Sequence, residues 1–270
     1  MEPAHRPPGR RAPARRNRPL RTGGGPNIAY GLAFSPDGTL LATADGGTVR
    51  LWNPVTRQPA GALLHAVPGG VSSVTFSPNG KLLATIDHGG TVRAWNPLTG
   101  RPAGPPIHAR PEGGHLAGVE RVAFSPDSTL LATADGGTVR LWNPLTGQPA
   151  GAPLPAETGS YAGVYDVAFS PNGKLLASAG SDGTVQLWNP ATSQPIGAPL
   201  ATGALNGVYG VTFSADGTWL ASAGSDGAIH LWNTSLLTHP YAALCADVGP
   251  PTPQDWAKYA PGEPQPSICP

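Results

Sequence analysis

The stretch that decides the fold runs from Phe34 to Asn53 and reads FSPDGTLLATADGGTVRLWN. The same unit begins again at Phe76, Phe124, Phe169 and Phe213, and every copy ends in a Trp-Asn pair. The tryptophans of these pairs are 43, 47, 46 and 44 residues apart, and they are Trp52, Trp95, Trp142, Trp188 and Trp232. A repeat of this period indicates an array in which each unit is one supersecondary structure.

Each unit predicts strands separated by tight turns. In the fourth copy the mostly apolar run from Val164 to Phe169 precedes Ser-Pro-Asn-Gly, a turn sequence because Pro fixes φ and Gly accepts positive φ. The run 175–179 follows, and 184–188 then alternates with the period of two typical of a strand. The looser stretch 194–200 predicts an outer strand, since Pro is tolerated at a sheet edge. Four antiparallel strands per unit, arrayed radially, predict an all-β fold, a β-propeller with five recognisable four-stranded blades.

These units resemble the WD-repeat family over roughly residues 26–237, although Trp-Asn stands where the family name has Trp-Asp. The family often ties each blade with a hydrogen-bonded set of His, Ser or Thr, Asp and Trp. His115 matches the histidine, but its unit has Gly136 where the aspartate belongs; Asp182 and Asp226 match the aspartate, but their units lack the histidine. The resemblance implies structural roles for these residues and the five tryptophans, with no blade holding the complete set.

The number of blades needed to close the ring stays open. Five units supply five sets of inner strands but only four clear outer strands. The segment 18–22 is the candidate for completing the fifth blade, yet it carries two arginines and a proline. Because an open ring leaves exposed edges, which natural proteins avoid, two interpretations remain. The chain forms either a closed five-bladed ring or part of a larger propeller.

Both ends differ from the repeats. Residues 1–25 hold seven arginines and one glutamate in a chain of net charge +1, with few apolar residues, and we predict a disordered tail. Binding of nucleic acid through it is the alternative, since clustered arginines bind phosphates. Residues 238–270 leave the repeat and predict a short helical or irregular tail. No apolar run is long enough to span a membrane.

The C-terminal tail resembles the ending of actinobacterial signalling proteins that carry a STAND-type NTPase ahead of a propeller. The matching residues are Leu244, Cys245, Thr252, Asp255, Trp256, Tyr259, Ala260, Pro261, Gly262, Cys269 and Pro270. The resemblance implies a bacterial signalling role and a disulfide between Cys245 and Cys269. Two packed thiols are the alternative, because so few cysteines indicate a reducing cytoplasm.

Candidate catalytic residues form no recognisable pattern. The seven histidines lack the spacing of a metal site, and the serines lie in Phe-Ser-Pro turns rather than in a nucleophile elbow. The Asp-Gly pairs at Asp45, Asp135, Asp182 and Asp226 are typical of hairpin turns rather than calcium sites. We therefore predict a protein that is not an enzyme and has no cofactor; a propeller-type hydrolase or a carbohydrate-binding lectin is the alternative.

Recognition is then the predicted function, as a scaffold or sensor that binds other proteins in the cytoplasm. The propeller places the residue four positions before each repeat Phe at the mouth of an innermost strand, and Tyr is favoured at protein interfaces. Tyrosines that merely pack between strands are the alternative. The candidate binding face comprises Tyr30, Ser72, Glu120, Tyr165 and Tyr209, with Arg121 and Asp166 beside them.

Overall fold

The computed structural model describes residues 29–65, 70–109, 119, 121–156 and 163–238. Within them lie five antiparallel sheets that follow one another along the chain. Each sheet is built from one repeat unit, and its strands neighbour one another in chain order, so the sheets are the blades of a propeller. The prediction of an all-β propeller with five blades is confirmed.

The blades run from an innermost strand outward. The first two comprise β1 (Ala29–Phe34), β2 (Leu41–Asp45), β3 (Thr48–Trp52), β4 (Leu64–His65), β5 (Val71–Phe76), β6 (Leu83–Asp87), β7 (Thr91–Trp95) and β8 (Ile107–His108). The third and fourth comprise β9 (Arg121–Phe124), β10 (Leu131–Asp135), β11 (Thr138–Trp142), β12 (Leu154–Pro155), β13 (Val164–Phe169), β14 (Leu176–Gly180), β15 (Thr184–Asn189) and β16 (Gln194–Ala201). The fifth comprises β17 (Val208–Phe213), β18 (Trp219–Gly224) and β19 (Ile229–Asn233), and the short helix α1 (Thr234–Thr238) follows it.

The fifth blade is the one for which the sequence offers no clear outer strand. Four sheets have four strands, whereas the fifth has three within the described residues. The segment 18–22, the candidate for the missing outer strand, lies outside those residues. Innermost strands contact one another in the order β1, β5, β9, β13, β17, and in the described part no contact of similar extent joins β17 to β1.

Hydrogen bonds within the turn after the first strand recur in every blade, although this turn reads Ser-Pro-Asp-Ser in the third blade and Ser-Ala-Asp-Gly in the fifth. In the first blade the Oγ atom of Ser35 accepts a hydrogen bond from the backbone N–H of Leu40 at 2.9 Å, and Asp37 accepts one from the N–H of Thr39 at 3.0 Å. Equivalent bonds recur in the other four blades. Gly38 has a φ of 69°, a conformation that glycine adopts without strain. The predicted turn therefore sets the register of the first two strands.

Each blade packs between its neighbours, so both faces of a central blade are buried. We call the face toward the next blade in the chain the forward face, and the face toward the preceding blade the backward face. The forward face of the fourth blade carries Ala177, Ala179, Val185 and Leu187, and the backward face of the fifth carries Val208, Val211, Phe213 and Leu220. The other three junctions are likewise lined by buried apolar side chains, and together these contacts form the core.

The repeat tryptophans tie the second and third strands of every blade. Each indole Nε1 donates a hydrogen bond of 2.9–3.3 Å to a threonine or serine hydroxyl on the adjacent strand. The acceptors are Thr43, Thr85, Thr133, Ser178 and Ser222 for Trp52, Trp95, Trp142, Trp188 and Trp232 respectively. All five blades thus hold the tryptophan and hydroxyl members of the hydrogen-bonded set.

Candidate functional site

The residue four positions before the repeat Phe is the extra residue of a β-bulge. In four innermost strands the pairing with the second strand shifts by one residue at this position. A bulge bends its strand and re-aims a side chain, and bulges are common at rims and beside functional sites. The residues at the bulges are Tyr30, Ser72, Tyr165 and Tyr209. We call these four positions the bulge rim.

Two bulge-rim tyrosines of adjacent blades lie against each other. The ring centroids of Tyr165 and Tyr209 are 5.7 Å apart, and the ring planes are inclined by 37°. Tyr209 is 54 % exposed and Tyr165 is half-buried. Tilted aromatic pairs at this separation are mutually attractive. The rings therefore form one aromatic surface, open to solvent, across the junction of the fourth and fifth blades.

Gly207 allows this arrangement. Its φ is 102°, and a Cβ atom at this position would lie 2.9 Å from the Tyr165 ring and 3.0 Å from the Cα of Ser181. No larger residue fits there without displacing the ring or the backbone. The sequence pattern did not single out this glycine, because its importance depends on the ring of a neighbouring blade.

Asp166 joins the same two blades below the tyrosines. Its Oδ2 accepts a hydrogen bond from the backbone N–H of Val211 at 3.0 Å, and its Oδ1 accepts one from the N–H of Val167 at 3.0 Å. Burial raises the pKa of Asp166, while the bond from Val211 and the positive charge of Arg121 act in the opposite direction. The carboxylate thus links two innermost strands and holds the junction under the aromatic pair in one geometry.

The other residues of the predicted binding face do not join the aromatic pair. The Ser72 hydroxyl donates to the backbone oxygen of Ile86 at 3.1 Å, so it is bound to its own blade. Arg121 is exposed at the first residue of β9. Glu120 and the side chain of Tyr30 lie outside the described residues. The structure therefore brings together Tyr165, Tyr209 and Asp166, with Arg121 acting on Asp166 from the third blade.

The residues predicted to be structural also separate into two groups. Asp182 accepts hydrogen bonds from the backbone N–H and the hydroxyl of Thr184 at 2.8 and 3.0 Å. Asp226 lies 2.6 Å from the Nε2 of His230, and this hydrogen bond is the main cause of its lowered pKa. Both aspartates lie in hairpin turns. His115, Cys245 and Cys269 lie outside the described residues, as do 1–25 and 239–270, so their assignments stay predictions.

Asp45 and Asp135 directly precede two-residue hairpin turns, but their burial was not predicted. They are the last residues of β2 and β10, and both are buried. Neither carboxylate oxygen of Asp135 accepts a hydrogen bond from a described residue, and the Nε of Arg140 lies 3.9 Å away. Burial raises the pKa of Asp135 to about 6, although Arg140 acts to lower it.

The first three blades carry aspartate and arginine at the same positions, and in the third blade the two side chains approach to 3.9 Å. Their units place Asp at the end of the second strand and Arg in the third, as Asp45 with Arg50, Asp87 with Arg93 and Asp135 with Arg140. The last two units have Gly at the aspartate position and Gln186 or His230 at the arginine position. The signal was present in the sequence as a difference between units, but burial was not visible there.

We expect Asp135 to make stability fall as the pH rises. Its pKa is about 6 in the folded chain against 3.8 ordinarily, so the folded state binds more protons between these values. The free energy of unfolding then decreases through this window, by roughly 2 kcal/mol from this group. In Asp135→Asn this component is absent. Urea unfolding of both proteins at about pH 4 and about pH 7 measures it as the difference between their pH dependences.

Asp127, in the same blade, is the control for that measurement. It is exposed, and hydrogen bonds from Ser125 and Thr129 lower its pKa. Because its pKa is lowered in the folded chain, Asp127 stabilises the folded state above its ordinary pKa, and this stabilisation is lost as the pH falls. Its contribution to the pH dependence of stability therefore has the opposite sign to that of Asp135. An Asp135→Asn variant with the pH dependence of the parent chain would contradict the assignment.

The described residues offer neither a candidate metal cluster nor a helix that could span a membrane. No group of three or more His, Cys, Asp or Glu side chains within them could hold a metal ion. Among the same residues, no helix has the length and apolar character needed to cross a membrane.

Comparison with known families agrees with this architecture. The family model described as WD domain, G-beta repeat matches the chain five times, at residues 17–53, 61–96, 108–143, 153–189 and 197–233. The second match spans β4 to β7, an outer strand followed by the first three strands of the next blade. A search of the curated proteins found no match. Because the five family matches cover more than half of the chain and each falls on a propeller repeat, the chain belongs to the WD-repeat family.

Proposed function

We propose that the chain is a protein-binding module whose docking site is the bulge rim at the junction of the fourth and fifth blades. WD-repeat propellers generally mediate protein–protein interaction, which gives the functional class. The observation that supports this site is the aromatic pair of Tyr165 and Tyr209. The two rings lie on adjacent blades, and the Tyr209 side chain is more than half exposed.

Rigidity favours this junction over the rest of the rim. The Asp166 carboxylate connects β13 to β17, and Gly207 lets the Tyr165 ring lie close to the backbone. A partner that covers the two rings therefore finds them already in place, and little side-chain entropy is lost on binding. Tyrosine and arginine dominate binding energy at protein interfaces, and Arg121 is exposed on the neighbouring blade. The surface suits a protein segment that presents an apolar side chain to the rings.

Replacing Tyr209 tests the site. Peptides selected on the wild-type chain from a displayed library are expected to bind Tyr209→Ala about tenfold or more weakly, because truncation removes half of the aromatic surface. Tyr209→Phe keeps the ring and is expected to retain most of the affinity. Titration calorimetry with the selected peptides measures both, and circular dichroism verifies that each variant is folded.

Leu205→Ala is the matched control, since Leu205 is exposed but does not belong to the bulge rim. Selected peptides that bind Tyr209→Ala as tightly as the parent, while the variant stays folded, would refute the site. An equal loss of peptide affinity in Leu205→Ala would indicate that the peptides bind the connection between the fourth and fifth blades instead.

The same proposal extends to a cytoplasmic role in bacterial signalling. Its support is the resemblance of the C-terminal tail, from Leu244 to Pro270, to proteins in which a STAND-type NTPase precedes a propeller. In that setting the bulge rim is the sensing or scaffolding surface, and the NTPase responds to what it binds.

A further inference from the structure

The forward face of the fifth blade is apolar and exposed. Ile229 is 75 % exposed and Leu231 is 64 % exposed. Val185 and Leu187 occupy the same register positions in the fourth blade, where they are buried beneath the fifth. The fifth blade therefore presents to solvent the surface type that every earlier blade buries.

The backward face of the first blade is its counterpart. Leu32 is 66 % exposed and Phe34 is 62 % exposed. The residues at these positions in the second blade, Val74 and Phe76, are buried against the first blade. The first blade thus exposes the other half of the packing surface.

These two faces are the two halves of one interface. Each of the four junctions inside the chain joins a forward face to a backward face, and both faces are lined mainly by buried apolar side chains. Among the described residues, only the forward face of the fifth blade and the backward face of the first have no such face packed against them. Contiguous exposed apolar surface of this kind marks an interaction site.

We propose that the chain binds a second copy of itself head to tail, with the forward face of one fifth blade docked on the backward face of the partner's first blade. The contact continues the stacking seen four times within the chain, with Ile229 and Leu231 in the places of Val185 and Leu187. In this arrangement Ile229 and Leu231 pack against Leu32 and Phe34 of the other copy. The four exposed side chains are uncharged, so their burial removes no charge from water. Such an interface is heterologous, because two different surfaces meet.

Complementation between two variants tests this arrangement. Leu231→Lys blocks the forward face and leaves the backward face intact, whereas Phe34→Lys does the reverse. By analytical ultracentrifugation at up to about 100 μM, the wild type is expected to associate with rising concentration and each variant alone to stay monomeric. An equimolar mixture of the two is expected to form a dimer and nothing larger, since it retains one intact interface.

Leu205→Lys is the control, because Leu205 is 94 % exposed and belongs to neither face; this variant is expected to associate as the wild type does. A wild type that stays monomeric throughout would overturn the proposal. So would self-association of either variant alone, which indicates that like faces meet. A fall in monomer stability without any change in mass would also overturn it, since the faces then close within one chain.

Discussion

Leu187→Ala is expected to lower the free energy of unfolding by about 3–4 kcal/mol. Leu187 is buried on the forward face of the fourth blade, against the backward face of the fifth. Truncation removes buried apolar surface and leaves a cavity that two packed sheets cannot fully close, and the expected loss lies in the middle of the range for such changes. Urea denaturation followed by far-ultraviolet circular dichroism measures the difference.

An exposed leucine provides the comparison. Leu205→Ala makes the same chemical change at a solvent-facing position, and we expect it to alter the free energy of unfolding by less than about 0.5 kcal/mol. Similar losses in the two variants would mean that the junction between the fourth and fifth blades is not packed as described.

Gly183→Ala is expected to lower the free energy of unfolding by about 4 kcal/mol. The glycine has a φ of 79°, and placing an L-residue in this conformation costs about 1–2 kcal/mol. In addition, a Cβ atom would overlap the backbone carbonyl of Ala204, which lies in the connection to the next blade. Because backbone cannot move aside as a flexible side chain can, the overlap displaces the loop that leads into β17. Urea denaturation measures the loss.

Gly227→Ala separates the two causes. Gly227 occupies the same turn position in the fifth blade with a φ of 72°, but a Cβ atom there meets nothing within 4 Å. We expect only the conformational cost of about 1–2 kcal/mol for this variant. Equal losses at the two glycines would show that contact with the following blade contributes nothing at Gly183.

The elements of each blade could be predicted because their causes are local. Turn chemistry and strand periodicity lie within a few residues, so β13 was predicted at its observed bounds and β16 within one residue of its end. The second strand was predicted from Leu175, whereas β14 begins at Leu176. The reason is the turn itself, since the backbone N–H of Leu175 is bound to the Oγ of Ser170 at 2.9 Å.

Burial was harder to predict, because it depends on neighbouring blades. The alternation in 184–188 separates Val185 and Leu187 from Gln186 and Trp188, yet all four side chains are buried. A period of two identifies which residues share a face, but it does not say that both faces are covered. The buried Asp135 was missed for the same reason.

The places of the bulge-rim tyrosines in their strands could be predicted, whereas their contacts could not. Spacing from the repeat Phe placed Tyr165 and Tyr209 at the mouths of innermost strands. The sequence did not show the bulge that turns them, their contact with each other, or the Asp166 bond to Val211. The contact between the rings and the Asp166 bond both require two blades in register, and the packing of one blade on the next is not visible in the sequence of either.

The neighbour-only packing of the blades has a consequence for cooperativity. In the described part, extensive contacts between blades join only those adjacent in the chain, so the molecule is a one-dimensional array coupled through its junctions. A central blade is coupled on two sides and a terminal blade on one. Local opening therefore begins at the ends and propagates inward. An interruption in the third blade uncouples two halves, whereas loss of a terminal blade removes a single coupling and leaves the rest of the array intact.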